Sequence, residues 1–319
     1  MIRPFRGRSN KDAERIEALE AELIKAKAEA EFNALLARAK KPAISLIKMP
    51  DQEQPGAPGC WVGGEPTLPP DMEWPHYDKQ GLMIPMHFFG QINLAHLPMM
   101  PDYPEMPTEG TLFYFVEPIT GLFDCDNRVV KVIYAPGDVS GFEPVKMPEL
   151  PDFVRMAEEG GYEVMHYYLD YPTKGYKKFN IRFGVFTNYE RGWASDWRTS
   201  YAVSLEADKS VVRHEVMVND YRNRHPDLNK ELLKNGAAPS HYPFVVFGFD
   251  NRSEYHSGRE TALNHERDLI PLLAVTQLDN QTHFAFGNEE GVPHHVILIR
   301  REDLRQRNFG NVILSGWGD

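Results

Sequence analysis

Cysteine is nearly missing from this chain: among 319 residues there are two, Cys60 and Cys125. Two thiols cannot build a disulfide framework, and neither has the neighbouring Cys or His of a zinc site, so both read as small buried hydrophobes. Long apolar runs are missing as well. None approaches the roughly eighteen residues of a membrane span, and no apolar stretch of a secretory signal follows the basic opening "MIRPFRGR". Positive charge is scarce, with 35 Lys and Arg against 46 Asp and Glu and a formal net charge of −11. That balance is the reverse of what a phosphate backbone demands. The expectations are a soluble cytoplasmic protein with no membrane and no nucleic-acid partner, whose acidic surface suits a basic protein partner. The densest basic stretches, "MIRPFRGR" and "IRREDLRQR", read as a solvated tail and a solvated helix face.

Catalytic signatures are also absent. There is no Gly-x-Ser-x-Gly elbow, no Walker-type loop, no Gly-x-Gly-x-x-Gly turn, and neither cysteine has the histidine context of a reactive thiol. The expected cofactor and metal complement is therefore none.

What is present divides the chain. Residues 1–41 form an N-terminal helical extension: from Ser9 to about Lys41 the chain is rich in Ala, Glu, Lys and Leu without Gly or Pro. Ser9 and Asp12 resemble a capping box, and Pro42 is expected to end the helix. Ile16, Leu19, Leu23, Ala26 and Ala30 fall at three-and-four spacing, a narrow seam for packing on the chain's own domain or for weak self-association. Residues 42–319 read as one α+β domain. Strand-like runs occur at "AISLIKM", "MHFFGQINL", "GTLFYFVE", "RVVKVIYAP", "KFNIRFGVFTNYE", "YAVSLEADKSVVRHEVMV", "YPFVVFGF", "IPLLAVTQLD", "THFAFGN" and "HHVILIRRED", most of them bounded by Gly, Pro, Asp or Asn. Helices are expected in "PDLNKELLKNGAAP", between Asp152 and Glu159, and in "REDLRQR". Few helices against many strands exclude a doubly wound sheet and favour largely antiparallel sheets.

"HFFGQINL" and "LLAVTQLD" both carry a single Gln near the end of an apolar run, and an aromatic or aliphatic strand follows each. The likeness fits an ancestral duplication of two similar sheet units, roughly 42–150 and 226–319, and equally the chance similarity of apolar strands.

The segments "GGEPTLPPDMEWP", "FFGQINLAHLP" and "EGTLFYFV" resemble the opening of the YwqG-like family, bacterial proteins grouped as a domain of unknown function. "HYPFVVFGFDNRSE", "LLAVTQLDN" and "FGNEEGVPHHVILIRREDLRQRNFGNV" are similar to its later segments, in the same order, from about Pro42 to Val312. The chain departs from the pattern at His294-His295 and at Gly248-Phe249-Asp250, and residues 140–225 do not align. The resemblance implies an internally duplicated α+β fold and carries no catalytic residue.

Candidate site residues come from four places. Gln91 and Asn93, with Gln277 and Asp279, are polar groups in apolar strands; they either satisfy backbone at a shared interface or line a cleft between the two units. His283, set beside His295 by a hairpin through "FGNEEGVP" and near Asp279, could form a metal or acid–base pair or be structural. Trp193, Trp197 and Arg198, with Tyr201, read as an interface patch or as a loop packed on the core. His256, Glu260 and His265 lack a zincin-like spacing. Two functions follow: a non-enzymatic protein-binding module, regulatory or toxin-neutralising, and alternatively a hydrolase or metal-dependent enzyme with its site near the C-terminal hairpin.

Overall fold

The computed structural model describes residues 10–49, 55–79, 81–117, 127–153, 155, 176, 178–189, 244–247, 268–276 and 294–317. Helix α1 (Asn10–Ala39) runs without a linker into strand β1 (Lys40–Lys48). Side chains of α1 are described continuously over 14–27, and all of them are exposed. The helix stops three residues before Pro42, which lies inside β1 opposite Thr187. Pro42 is one residue before the position where β1 meets β9, Ala43↔Phe247.

The remaining strands are β2 (Trp61–Val62), β3 (His76–Lys79), β4 (Leu82–Pro85), β5 (His87–Asn93), β6 (Thr111–Val116), β7 (Val130–Ala135), β8 (Phe179–Tyr189), β9 (Phe244–Phe247), β10 (Leu269–Thr276), β11 (His294–Arg300) and β12 (Ile313–Trp317). A short helix α2 (Arg301–Arg305) follows β11. Among the described residues ten strands form one sheet in the order β12-β11-β10-β9-β1-β8-β2-β5-β6-β7, and β3 with β4 makes a separate hairpin. Every described pairing is antiparallel. The mixed architecture with mostly antiparallel strands and few helices follows from this arrangement.

The central pair β1 and β8 is in register from Lys40↔Tyr189 to Lys48↔Ile181. Outward from it each arm ends in a three-strand antiparallel meander, β5-β6-β7 on one side and β10-β11-β12 on the other. β5 and β6 are buried at nearly every position, so their sequences read as continuous apolar runs without polar alternation. Gly90 interrupts β5 because an added Cβ would lie 2.8 Å from the carbonyl oxygen of Trp61 in the neighbouring strand.

The two outer edges are brought together by the segment between β11 and β12. Phe309 is buried, and its ring centroid lies 5.2 Å from that of Tyr134 in edge strand β7, with the Arg307 guanidinium 5.9 Å from the same Tyr134 ring. One apolar cluster consequently joins both arms, from Phe113, Phe115 and Ile44 to Leu272, Ile299, Leu304 and Phe309. No described helix is long and apolar enough to cross a membrane.

Candidate functional site

The glycine- and proline-rich lead-in to β5 is built as a brace. Gly63 and Gly64 take φ values of +65° and +72°, conformations that side chains with a Cβ rarely adopt. This turn delivers the Gly63 N–H to the Phe89 carbonyl at 2.7 Å and the Gly64 N–H to the Tyr176 carbonyl at 2.6 Å. Further along, the Val145 N–H donates to the Pro66 carbonyl at 2.8 Å, and the Trp74 indole N–H donates to the Met86 carbonyl at 2.8 Å. Trp74 also meets Phe115 edge-on, with ring centroids 5.1 Å apart. Prolines remove donors along the segment, and the donors that remain are spent on cross-links to β5, β8 and their flanks.

Gln91 is the keystone of that brace. Its side chain is fully buried; Oε1 accepts the Thr67 N–H at 3.1 Å, and Nε2 donates to the Gly59 carbonyl at 3.2 Å and to Thr67 Oγ1 at 3.1 Å. Both partners of the amide, Thr67 and Gly59, lie in the same half of the chain, so its hydrogen bonds hold the brace and not an interface between two halves. Asn93 behaves likewise. Its Oδ1 accepts the Ala95 N–H at 3.1 Å and caps the 3₁₀ turn Leu94–His96, while its own N–H donates to Cys60 Sγ at 3.2 Å. Burial pushes the Cys60 thiol up to about 12, against a small opposing pull from its hydrogen bond to Asn93, so it is uncharged near neutrality and a poor nucleophile. It is the buried small hydrophobe expected from the sequence; Cys125 lies outside the described residues.

Beside the brace lies an open cleft of about 360 Å³ lined by Gly64, Glu65, Pro144, Tyr176 and Lys178. The Lys178 ammonium sits 3.8 Å from the Trp61 ring centroid, a cation–π contact, and burial lowers its pKa. Its aliphatic stem crosses Gly64 so closely that an added Cβ there would meet Lys178 Cβ at 2.8 Å. Tyr176 is held neutral by burial and by the negative charge of Glu117, which is itself buried; the ring of buried His87 lies 5.3 Å from that of Tyr176.

A second polar assembly ties the arms together. Arg301 donates to Glu105 Oε2 at 2.6 Å and to the Asp102 carbonyl at 3.3 Å; Arg305 reaches Glu105 Oε1 at 3.5 Å and also pairs with Glu302. Desolvation raises the Glu105 pKa, but the Arg301 hydrogen bond and the charges of both arginines outweigh it and leave the carboxyl below its ordinary value. Part of "IRREDLRQR" is thus a clamp where the sequence suggested a solvated face. Sequence reading could not find this partner, because Glu105 stands almost two hundred positions away in a proline-rich loop with no pattern of its own.

Of the remaining sequence candidates, His295 is placed by its backbone in β11, opposite Val275 and Gly316, with His294 opposite Thr276 and Trp317. Gln277, Asp279, His283, Trp193, Trp197 and Arg198 lie outside the described residues, as do the helix expected at 226–239 and the hairpin at 286–293. Among the described residues no three His, Cys, Asp or Glu side chains are grouped as metal ligands. Helix α1 carries a different kind of surface. Ile16, Leu19, Leu23 and Ile24 are 37%, 56%, 55% and 69% exposed, and the helix touches the sheet mainly at its junction with β1.

No curated protein matches this chain. A family model does, over residues 61–316, a span that takes in the brace, both meanders and the Glu105 clamp and leaves α1 and β1 before it. The chain belongs to the family described as Domain of unknown function (DUF1963).

Proposed function

We propose that this protein is a non-enzymatic protein-binding module of regulatory or toxin-neutralising type, acting in the cytoplasm, in which the sheet is a scaffold and α1 the docking element. The observation that carries this reading is the exposed apolar row on α1. Ile16, Leu19 and Leu23 repeat at helical spacing, are open to solvent, and are rimmed by charged side chains. Apolar rows of that kind mark association surfaces, since each large side chain gains about 1.5–3 kcal/mol when a partner covers it. The net charge of −11 supports a basic protein as a client, attracted over a distance and repelling acidic competitors. The roles of Gln91 and Asn93 agree with a scaffold, because both amides are committed to backbone.

The strand order supports a duplicated origin for that scaffold. Among the described strands, pairing β1 with β8, β2 with β9 and β5-β6-β7 with β10-β11-β12 makes the order read the same from either edge, with β1 beside β9 and β8 beside β2, although β8 lies before residue 226. The Gly-Gly and Trp-Pro signature and the Gln-Ile-Asn strand end support a YwqG-like assignment within the family.

The test is capture from native lysate by the wild type and by Leu19→Glu/Leu23→Glu. A stoichiometric partner held by the wild type and released by the variant is expected. The absence of such a partner at every salt concentration, or equal retention by both proteins, contradicts the reading.

A further inference from the structure

Helix α1 has an internal pattern that specifies a particular partner. With Ile16 at position a of a heptad, a is occupied by Ile16, Leu23 and Ala30, d by Leu19, Ala26 and Asn33, g by Arg15, Glu22 and Glu29, and e by Glu20, Lys27 and Ala34. In two parallel helices in register, each g residue faces the e residue five positions later in the partner. That sets Arg15 against Glu20 of the second copy and Glu22 against Lys27, both attractive, with Glu29 facing the neutral Ala34. The antiparallel arrangement that overlays Leu23 on Leu19 would instead set Glu20 against Glu20 and Glu22 against Glu22. The same overlay brings Arg15 to Glu29 twice, so two repulsive contacts are offset by two attractive ones, against four attractive contacts in the parallel arrangement.

Three further observations agree. The apolar row is exposed along its length within the chain, and the described a, d, e and g side chains from Glu14 to Lys27 are all open to solvent. Lys25, at position c, pairs within its own helix to Glu29 at 4.0 Å and so occupies the one g carboxylate whose parallel neighbour, Ala34, is neutral. The helix, 30 residues and about 45 Å long, meets the sheet mainly where it joins β1, and it lies before the matched family span of 61–316, so it can reach a second molecule.

We propose that α1 forms a parallel, in-register two-stranded coiled coil with α1 of a second copy of this chain. The proposal rests on α1 being the docking element: a second copy covers its apolar seam, and the dimer so formed presents the acidic surface that a basic client meets. A seam this short, half of it alanine, makes a reversible dimer whose population depends on concentration, and polar g–e contacts set its orientation.

The experiment uses the purified full-length chain. Sedimentation equilibrium across a concentration series should show monomer and dimer, and Leu19→Glu/Leu23→Glu should be monomeric throughout. Glu22→Lys should weaken the dimer about tenfold, and adding Lys27→Glu should restore it, as reversal of one attractive pair predicts. In a Cys125→Ser background, where buried Cys60 is the remaining native thiol, Leu19→Cys should oxidise readily to a covalent dimer while Glu17→Cys, on the outer face, should not. A wild type that stays monomeric at all concentrations overturns the proposal. So does a dimer in which Leu19→Cys and Glu17→Cys cross-link alike, which would mean another register or surface. A monomeric wild type that still captures a lysate partner in an α1-dependent way removes the second copy and leaves the docking role of α1 standing; loss of both removes both.

Discussion

Gln91 and Thr67 hold each other through three hydrogen bonds, Thr67 N–H to Gln91 Oε1 at 3.1 Å, Thr67 Oγ1 to Gln91 Oε1 at 3.4 Å and Gln91 Nε2 to Thr67 Oγ1 at 3.1 Å, while the same Nε2 also reaches the Gly59 carbonyl at 3.2 Å. Replacing the amide by an apolar group of similar size would strand the Thr67 N–H and the Gly59 oxygen in a buried place. Gln91→Leu should therefore cost about 2–4 kcal/mol of folding stability, measured by urea unfolding. Tyr114 provides the contrast: its hydroxyl is buried with no hydrogen-bond partner among the described residues, so Tyr114→Phe should be neutral or slightly stabilising. Equal losses from the two substitutions would contradict this division between a satisfied and an idle polar group.

Gly64 is required twice, by its φ of +72° and by the Lys178 stem against it. Gly64→Ala should destabilise the fold by about 1–3 kcal/mol. In a Lys178→Gly background the cost should fall without vanishing, because the 2.8 Å contact with the Lys178 Cβ is removed and the backbone part stays. A double-mutant cycle with no coupling would show that the stem and the glycine do not meet in solution.

Glu105 makes stability depend on pH in a defined sense. Its carboxyl is held below the ordinary glutamate value of 4.5, so the folded state favours the ionised form. The contribution is fully present above the unfolded value and is lost as pH falls from there through the lower folded value. The stability gap between wild type and Glu105→Gln should therefore be constant near neutrality and close in acid. Added salt should narrow it at neutral pH, since Arg305 is about half exposed. A gap that widened on acidification would reverse the assigned role.

Much of the sheet was legible in the sequence because burial leaves a compositional mark. β5, β6, β7 and β11 stand out as β-branched and aromatic runs between Gly, Pro and Asp, and the antiparallel character follows from the shortage of helices. β2 escaped notice because two residues, Trp61 and Val62, carry no period, and β3 and β4 because the hairpin lies in the proline-rich segment that reads as irregular. The helix ends before proline alone requires: Pro42 disfavours helix at the residue preceding it, and β1 already takes Lys40 through pairing with Tyr189. At the candidate site, the structural duty of Gln91 could be inferred from a lone amide in an apolar strand. The partner of Arg301 could not, since it depends on how the two edges of the sheet meet.

The central claim is that α1 docks and the sheet folds without it. One comparison measures both parts: the thermal unfolding midpoint and the association state of wild type and Leu19→Glu/Leu23→Glu at the same concentration. The account predicts an unfolding transition of the monomeric domain unchanged within about 0.5 kcal/mol, as for surface substitutions, together with complete loss of association. Association that survives both substitutions, or a variant whose sheet no longer unfolds cooperatively, would contradict it.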